Sequence, residues 1–166
     1  MTTITLEPQE TKTDATENEF DQWVSTTAKL GITRSRFVAL SQFDLAVARQ
    51  LNRLAALRAG WDAEAAPPIC RRILLAAREF VSRLPGRIKN SIPAPAVVPM
   101  ARGADRPSNL QFEWDDGRRS LELEIETPSS MHYLKWAPDE GVEEEDSFDI
   151  HDTERALGLV RWFARE

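Results

Sequence analysis

The stretch Leu110-Gln-Phe-Glu-Trp-Asp-Asp-Gly-Arg-Arg-Ser-Leu-Glu-Leu-Glu-Ile-Glu-Thr-Pro-Ser-Ser-Met-His-Tyr-Leu-Lys-Trp136 decides the fold. Leu110, Phe112 and Trp114 alternate with Gln111, Glu113 and Asp115; Leu121, Leu123 and Ile125 alternate with Glu122, Glu124 and Glu126. A period of two places the apolar set on one face of a sheet and the acids on the other. Asp116-Gly117 between the runs supplies the positive φ angles of a tight hairpin turn. Thr127-Pro-Ser-Ser130 reads as a second turn and residues 131–136 as a third strand, whose phase is less sharply written. No catalytic motif accompanies the pattern, so it speaks for architecture rather than activity.

Upstream the period changes. Phe43, Val47, Leu51, Leu54, Leu57 and Trp61 recur at helical spacing, which predicts an amphipathic helix stopping near Gly60. A second helix is expected to begin at Pro67-Pro68, carry Ile69, Ile73, Ala76, Phe80 and Leu84 inward, and end at Pro85-Gly86. The short connection between them predicts a helical hairpin. From Gly86 to Pro99, Pro93, Pro95 and Pro99 argue against helix and for an extended crossing segment or an irregular edge strand holding Val97 and Val98. Asp152 is placed to cap a last helix carrying Leu157, Val160, Phe163 and Trp162. The expected class is α+β: an antiparallel three- to four-stranded meander with an N-terminal helical hairpin and a C-terminal helix packed on one face. Its parts are a tail over residues 1–19 and one domain over 20–166, comprising helices in 20–85, sheet in 95–137, an acidic loop at 139–151 and a helix at 152–165. Residues 20–40 read ambiguously.

The chain has 166 residues, of which 42% are apolar, enough for one domain with its own core. Residues 1–20 hold six Thr and four Glu and lack the cationic start and apolar stretch of an export signal. No apolar run approaches the roughly 20 residues a bilayer span needs, and Cys70 is the lone cysteine. The expectation is a soluble, cytoplasmic protein without membrane partner. The net charge of −6 is segregated: residues 28–89 hold twelve Lys or Arg against four acids, whereas residues 139–152 hold eight acids and no Lys or Arg. Such blocks attract partners, steer association, or neutralise each other internally.

The run Leu51-Asn-Arg-Leu-Ala-Ala-Leu-Arg-Ala-Gly-Trp-Asp62, with Ala66-Pro-Pro-Ile69, Phe112-Glu-Trp114 and Leu121-Glu-Leu-Glu-Ile-Glu126, resembles an uncharacterised family of small bacterial proteins. Its members carry a leucine helix and a GWDG-x-GA-x-PI segment, then a strand ending in Leu-Glu-Trp and an acidic strand. The resemblance covers residues 51–126 and departs at Ala63 and Ala65, where the family has glycine. It implies a fold and no activity.

Candidate chemistry is thin. Glu113, Asp115, Glu122, Glu124 and Glu126 are able to bring two carboxylates within acid/base distance, but an exposed sheet face lacks the burial that tunes such a pair. His132 and His151 have no ligand partner at zinc spacing. Cys70, in a predicted first helical turn, has no nucleophile signature around it. The run Asp139 to Asp146 lacks the alternating ligands of a calcium loop. No catalytic residue, metal site or cofactor is therefore expected. The reading is a non-enzymatic interaction or regulatory module of a bacterial two-gene system: an antitoxin, immunity protein or defence subunit. Glu113, Asp115, Glu122, Glu124, Glu126, Glu143, Glu144, Glu145 and Asp146 would meet a basic protein partner, the last four from a mobile loop. The alternatives are a carboxylate-dependent enzyme and a nucleic-acid binder using the arginines of the helical half.

Overall fold

A computed structural model of the chain describes residues 41–165 except 63, 64, 104, 105 and 107; the expectations for residues 1–40 lie outside the described residues. The described part is α+β, a five-stranded antiparallel sheet with four helices.

Helix α1 (Gln42–Ala55) opens on a capping box. The Ser41 hydroxyl accepts from the Asp44 amide at 3.1 Å, and the Asp44 carboxylate accepts from the Ser41 amide at 3.3 Å, which satisfies donors that a helix start leaves open. The helix buries Phe43, Val47, Leu51 and Leu54 as its periodicity predicts. It stops at Ala55, short of Gly60, because the following residues make a loop with hydrogen bonds of its own. The Gly60 amide donates to the Ala66 carbonyl at 2.8 Å, the Ala66 amide to the Asp62 carboxylate at 2.6 Å, and the Trp61 indole to the Pro67 carbonyl at 3.0 Å. Trp61 thus staples the connection while its ring stays half-buried.

Helix α2 (Arg71–Arg83) begins later than the prolines suggest. Ile69 forms an isolated parallel bridge with Ser108, whose hydroxyl donates to the Pro67 carbonyl at 2.7 Å. Pro68 also disfavours helical backbone at Pro67. Ile69, Ile73, Ala76, Phe80 and Leu84 are all buried as expected. A short helix α3 (Gly86–Ser91) then corrects the expectation of no helix before Pro99. The prolines that argued against it stand beyond its end, and Ile88 on it is fully buried.

Strands β1 (Ala96–Met100), β2 (Asn109–Asp115), β3 (Ser120–Thr127), β4 (Ser130–Ala137) and β5 (Val142–Asp149) pair in chain order. The hairpin turn falls in the expected place but one residue on from the expected pair. Gly117 has φ +79°, while Asp116 does not have positive φ. The Asp116 amide donates to the Arg119 carbonyl at 3.1 Å, so that Gly117-Arg118 is the central pair, and the Asp115 carboxylate accepts from the Gly117 amide at 2.6 Å. β1 is an edge strand, a position that tolerates its Pro99, and Gln50 of α1 closes its free side. The Gln50 amide oxygen accepts from Val97 N–H and its nitrogen donates to Pro95 C=O, both at 2.9 Å. β5 is the correction: residues expected to form a mobile acidic loop form a strand, so the sheet has five strands instead of three or four.

Helix α4 (Thr153–Ala164) is capped by Asp152, whose carboxylate accepts from the Arg155 amide at 3.0 Å. Helices α2 and α4 pack on the same sheet face, since the rings of Phe80 and Phe112 lie 5.4 Å apart and those of Trp114 and Phe163 6.5 Å apart. Leu110, Phe112, Trp114, Leu121, Leu123, Ile125, Met131 and Tyr133 join the inward side chains of all four helices in one core.

Trp114 is 2% exposed and donates its indole N–H to the Pro93 carbonyl at 3.0 Å. Trp114→Ala is expected to cost about 3–5 kcal/mol in chemical denaturation, the range for emptying a large aromatic from a core. Ala65 sits at φ +58°, a left-handed conformation that strains a Cβ. Ala65→Gly should stabilise by up to about 1 kcal/mol, relief of that strain less the larger unfolded-state entropy of glycine. A lower denaturation midpoint in Ala65→Gly would contradict this.

Candidate interaction face

Directly paired residues of neighbouring strands share a face, so the register spells out the side of the sheet turned away from the core. Ala96, Glu113, Glu122, Leu134 and Glu145 form one row across all five strands; Val98, Gln111, Glu124, His132 and Ser147 form the next. Asp115, Ser120, Trp136 and Glu143 form a third, across β2 to β5. Glu126, two residues past Glu124, extends the same side. Of the nine predicted contact residues, Glu113, Asp115, Glu122, Glu124, Glu126, Glu143 and Glu145 therefore lie on this outer face.

The carboxylates there differ in how they are held. Arg102 donates to Glu124 and lies 3.6 Å from Glu126, and the Asn109 amide donates to Glu124 at 2.8 Å. Glu113 and Glu122 stand opposite each other with only the Gln111 amide between them, which donates to Glu113 at 3.1 Å and to Glu122 at 2.9 Å. Among the described residues no ion pair reaches Glu113, Glu122, Glu143 or Glu145. Partial burial, and after it the charge of Glu122, push the Glu113 carboxyl above its ordinary value. Like charges in direct cross-strand register destabilise a sheet. Glu113, Glu122, Glu124 and Glu126 are half-buried where full exposure was expected, because Gln111, Asn109 and Arg102 fold over them, whereas Asp115, Glu143 and Glu145 are exposed. Trp136, which the sequence reading passed over, is 44% exposed on this face. Its outward phase follows from pairing with Ser120 and Glu143 and from nothing local.

Glu144 and Asp146 point the other way. Glu144 sits 2.5 Å from the Lys135 ammonium and accepts from the Tyr133 hydroxyl. Arg155 of α4 donates to that hydroxyl at 2.7 Å and pairs with Asp146 at 3.4 Å. The Lys135 hydrogen bond, then that of Tyr133, hold the Glu144 carboxyl below its usual range. Burial, then the neighbouring Glu144, push the Tyr133 phenol up. This network is internal structure, and it moves these two acids from the contact surface to the inner side of β5. Lys135 also lies 5.3 Å and Arg119 5.2 Å from the Trp162 ring centre, with Arg119 pairing Glu140 at 2.7 Å.

The remaining candidates are dispersed. His132 lies opposite Glu124, His151 contacts Arg83 through Nδ1 at 2.8 Å, and Cys70 is the half-buried N-cap of α2. No group of three or more His, Cys, Asp or Glu suited to a metal occurs among the described residues. A shallow hollow of about 230 Å³ is lined by Arg102, Arg106, Asn109 and Glu126, and the Glu113–Glu122 pair does not border it. No described helix is long and apolar enough to cross a membrane. No protein-family model, curated protein or solved structure matches the chain.

Two substitutions separate the faces by sign. Glu113 has a raised folded-state value, so its ionisation opposes folding, and stability is lost as pH rises through that value. Glu113→Gln should therefore raise neutral-pH stability by roughly 0.5 kcal/mol, with the gain fading below the ordinary carboxyl value. Glu144 is lowered, so its contribution is present above the ordinary value of 4.5 and lost as pH falls. Glu144→Gln should cost about 1 kcal/mol at neutral pH, a figure kept small because the side chain is partly solvated. Melts of both variants across pH test the pair, and equal effects in the same direction would refute the division of the acids between two faces.

Proposed function

We propose that this protein is a non-enzymatic interaction module, of the kind that serves as antitoxin, immunity protein or regulatory subunit in a bacterial two-gene system, and that its outer sheet face receives a basic protein partner. The observation that carries this reading is the uncompensated Glu113–Glu122 pair on an open face with Trp136. A free protein is more stable without facing carboxylates. A partner bringing lysine or arginine to this row removes the repulsion, so the feature that weakens the free sheet strengthens the complex. Trp136 adds an aromatic anchor of the sort that dominates interface energy. The outer-face acids are the working part of the surface; the acids on the inner side of β5 hold the fold.

The test is comparative co-purification. The full chain and E113Q/E122Q/E145Q are expressed in the native background at equal level, and bound proteins are quantified by mass. The expected result is a basic protein retained by the natural chain and depleted roughly tenfold or more by the triple variant, whose melting temperature is equal or higher. Retention of the same proteins by both forms would overturn the reading.

A further inference from the structure

Among the described residues only two large apolar side chains are exposed: Leu75 at 55% and Trp136 at 44%. Leu75 is set mainly among cations and Trp136 among anions. Leu75 lies on the outward side of α2, one helical turn from Arg71, Arg72 and Arg78, all exposed. No described ion pair reaches these three arginines. Arg78 donates to the neutral Asn52 of α1 at 2.7 Å, while nearby Glu79 is taken by Arg83 at 2.6 Å. Trp136 has Glu143 directly opposite it, and Glu145 follows on the same face. α2 turns Phe80 onto Phe112 of the inner sheet face, so its outward side and the outer sheet face lie on opposite sides of the two layers.

We infer that the protein associates head to tail with a second copy of itself, the Trp136 face of one molecule taking the Leu75 face of the next. This rests on the reading of the sheet face as a docking surface and names an occupant for it. Apolar centre meets apolar centre, and the arginines reach Glu143 and Glu145, so both signs of charge are matched by residues of this one chain. Nucleic acid fits the arginine surface less well, since phosphates gain nothing from a central leucine. Because the two surfaces lie on opposite sides of the molecule, a two-fold axis cannot bring both into contact at once, and addition continues until a ring closes or a filament grows.

Sedimentation of the full chain tests this. At low salt the weight-average mass should exceed 18.8 kDa and rise with concentration. It should fall back toward the monomer in about 1 M salt, where charges are screened over roughly 3 Å. Two neutralised variants, R71S/R72S/L75S on the helix and W136S/E143Q/E145Q on the sheet, should each lose self-association by roughly tenfold or more. E143Q/E145Q alone replaces the second should it fail to melt like the parent. Mixed together, the two variants retain one intact surface each and should form a one-to-one dimer that grows no further. A monomeric parent at all concentrations, undiminished association of either variant, or no pairing on mixing would overturn the inference. So would a monomer whose helix face instead retains a labelled oligonucleotide. If self-association fails while the natural chain still captures a basic protein that E113Q/E122Q/E145Q does not, the second-copy inference falls and the interaction reading stands; loss of both removes both.

Discussion

Burial of one side of the β2–β3 hairpin is the constraint from which the rest follows. Phe112 opposite Leu123, Trp114 opposite Leu121 and Leu110 opposite Ile125 face the helices, and a strand that turns those residues inward has no other side on which to put Glu113, Glu122 and Glu124. A slip of one residue would drive the carboxylates into the core. The register is held by the energy of the core, and the acidic outer face is its geometric consequence.

β5 shows the same alternation under a different balance. Strands rarely hold so many acids, since nothing in their intrinsic preference favours Glu and Asp there. Here Lys135 from the neighbouring strand and Arg155 from α4 meet the inward acids, and the Tyr133 hydroxyl joins both groups at the edge of the core. Phe148 packs on Tyr133 with ring centres 6.0 Å apart, which anchors the far end. Neutralisation on one side lets the strand form and leaves Glu143 and Glu145 on the other.

The two edges of the sheet are likewise unlike. β1 carries Pro99 and has Gln50 bonded along its free side, whereas β5 is exposed along nearly its whole length and guarded by charge. Charged edges resist pairing with their own kind. This leaves the faces, rather than the edges, as the surfaces suited to partners, with the sheet contributing anions and the outward side of α2 contributing cations.

The elements whose signals are local were legible in the amino-acid order. Periodicity marked the inward rows of β2, β3, α1 and α2, Gly117 marked the turn, and Asp152 marked the start of α4. The same order also showed the charge segregation and the outward set Glu113, Asp115, Glu122, Glu124 and Glu126. The rest was set by contacts between residues far apart in the chain. Ser108 draws Pro67 and Ile69 out of helix α2. Lys135 and Arg155 turn an acidic run into β5 and divide Glu144 and Asp146 from Glu143 and Glu145. Pairing with Ser120 and Glu143 turns Trp136 outward. A residue's periodicity is written in its neighbours, but the sign and distance of the charge that will face it are set by packing between elements, and for these acids that packing decides whether a carboxylate belongs to the fold or to its surface.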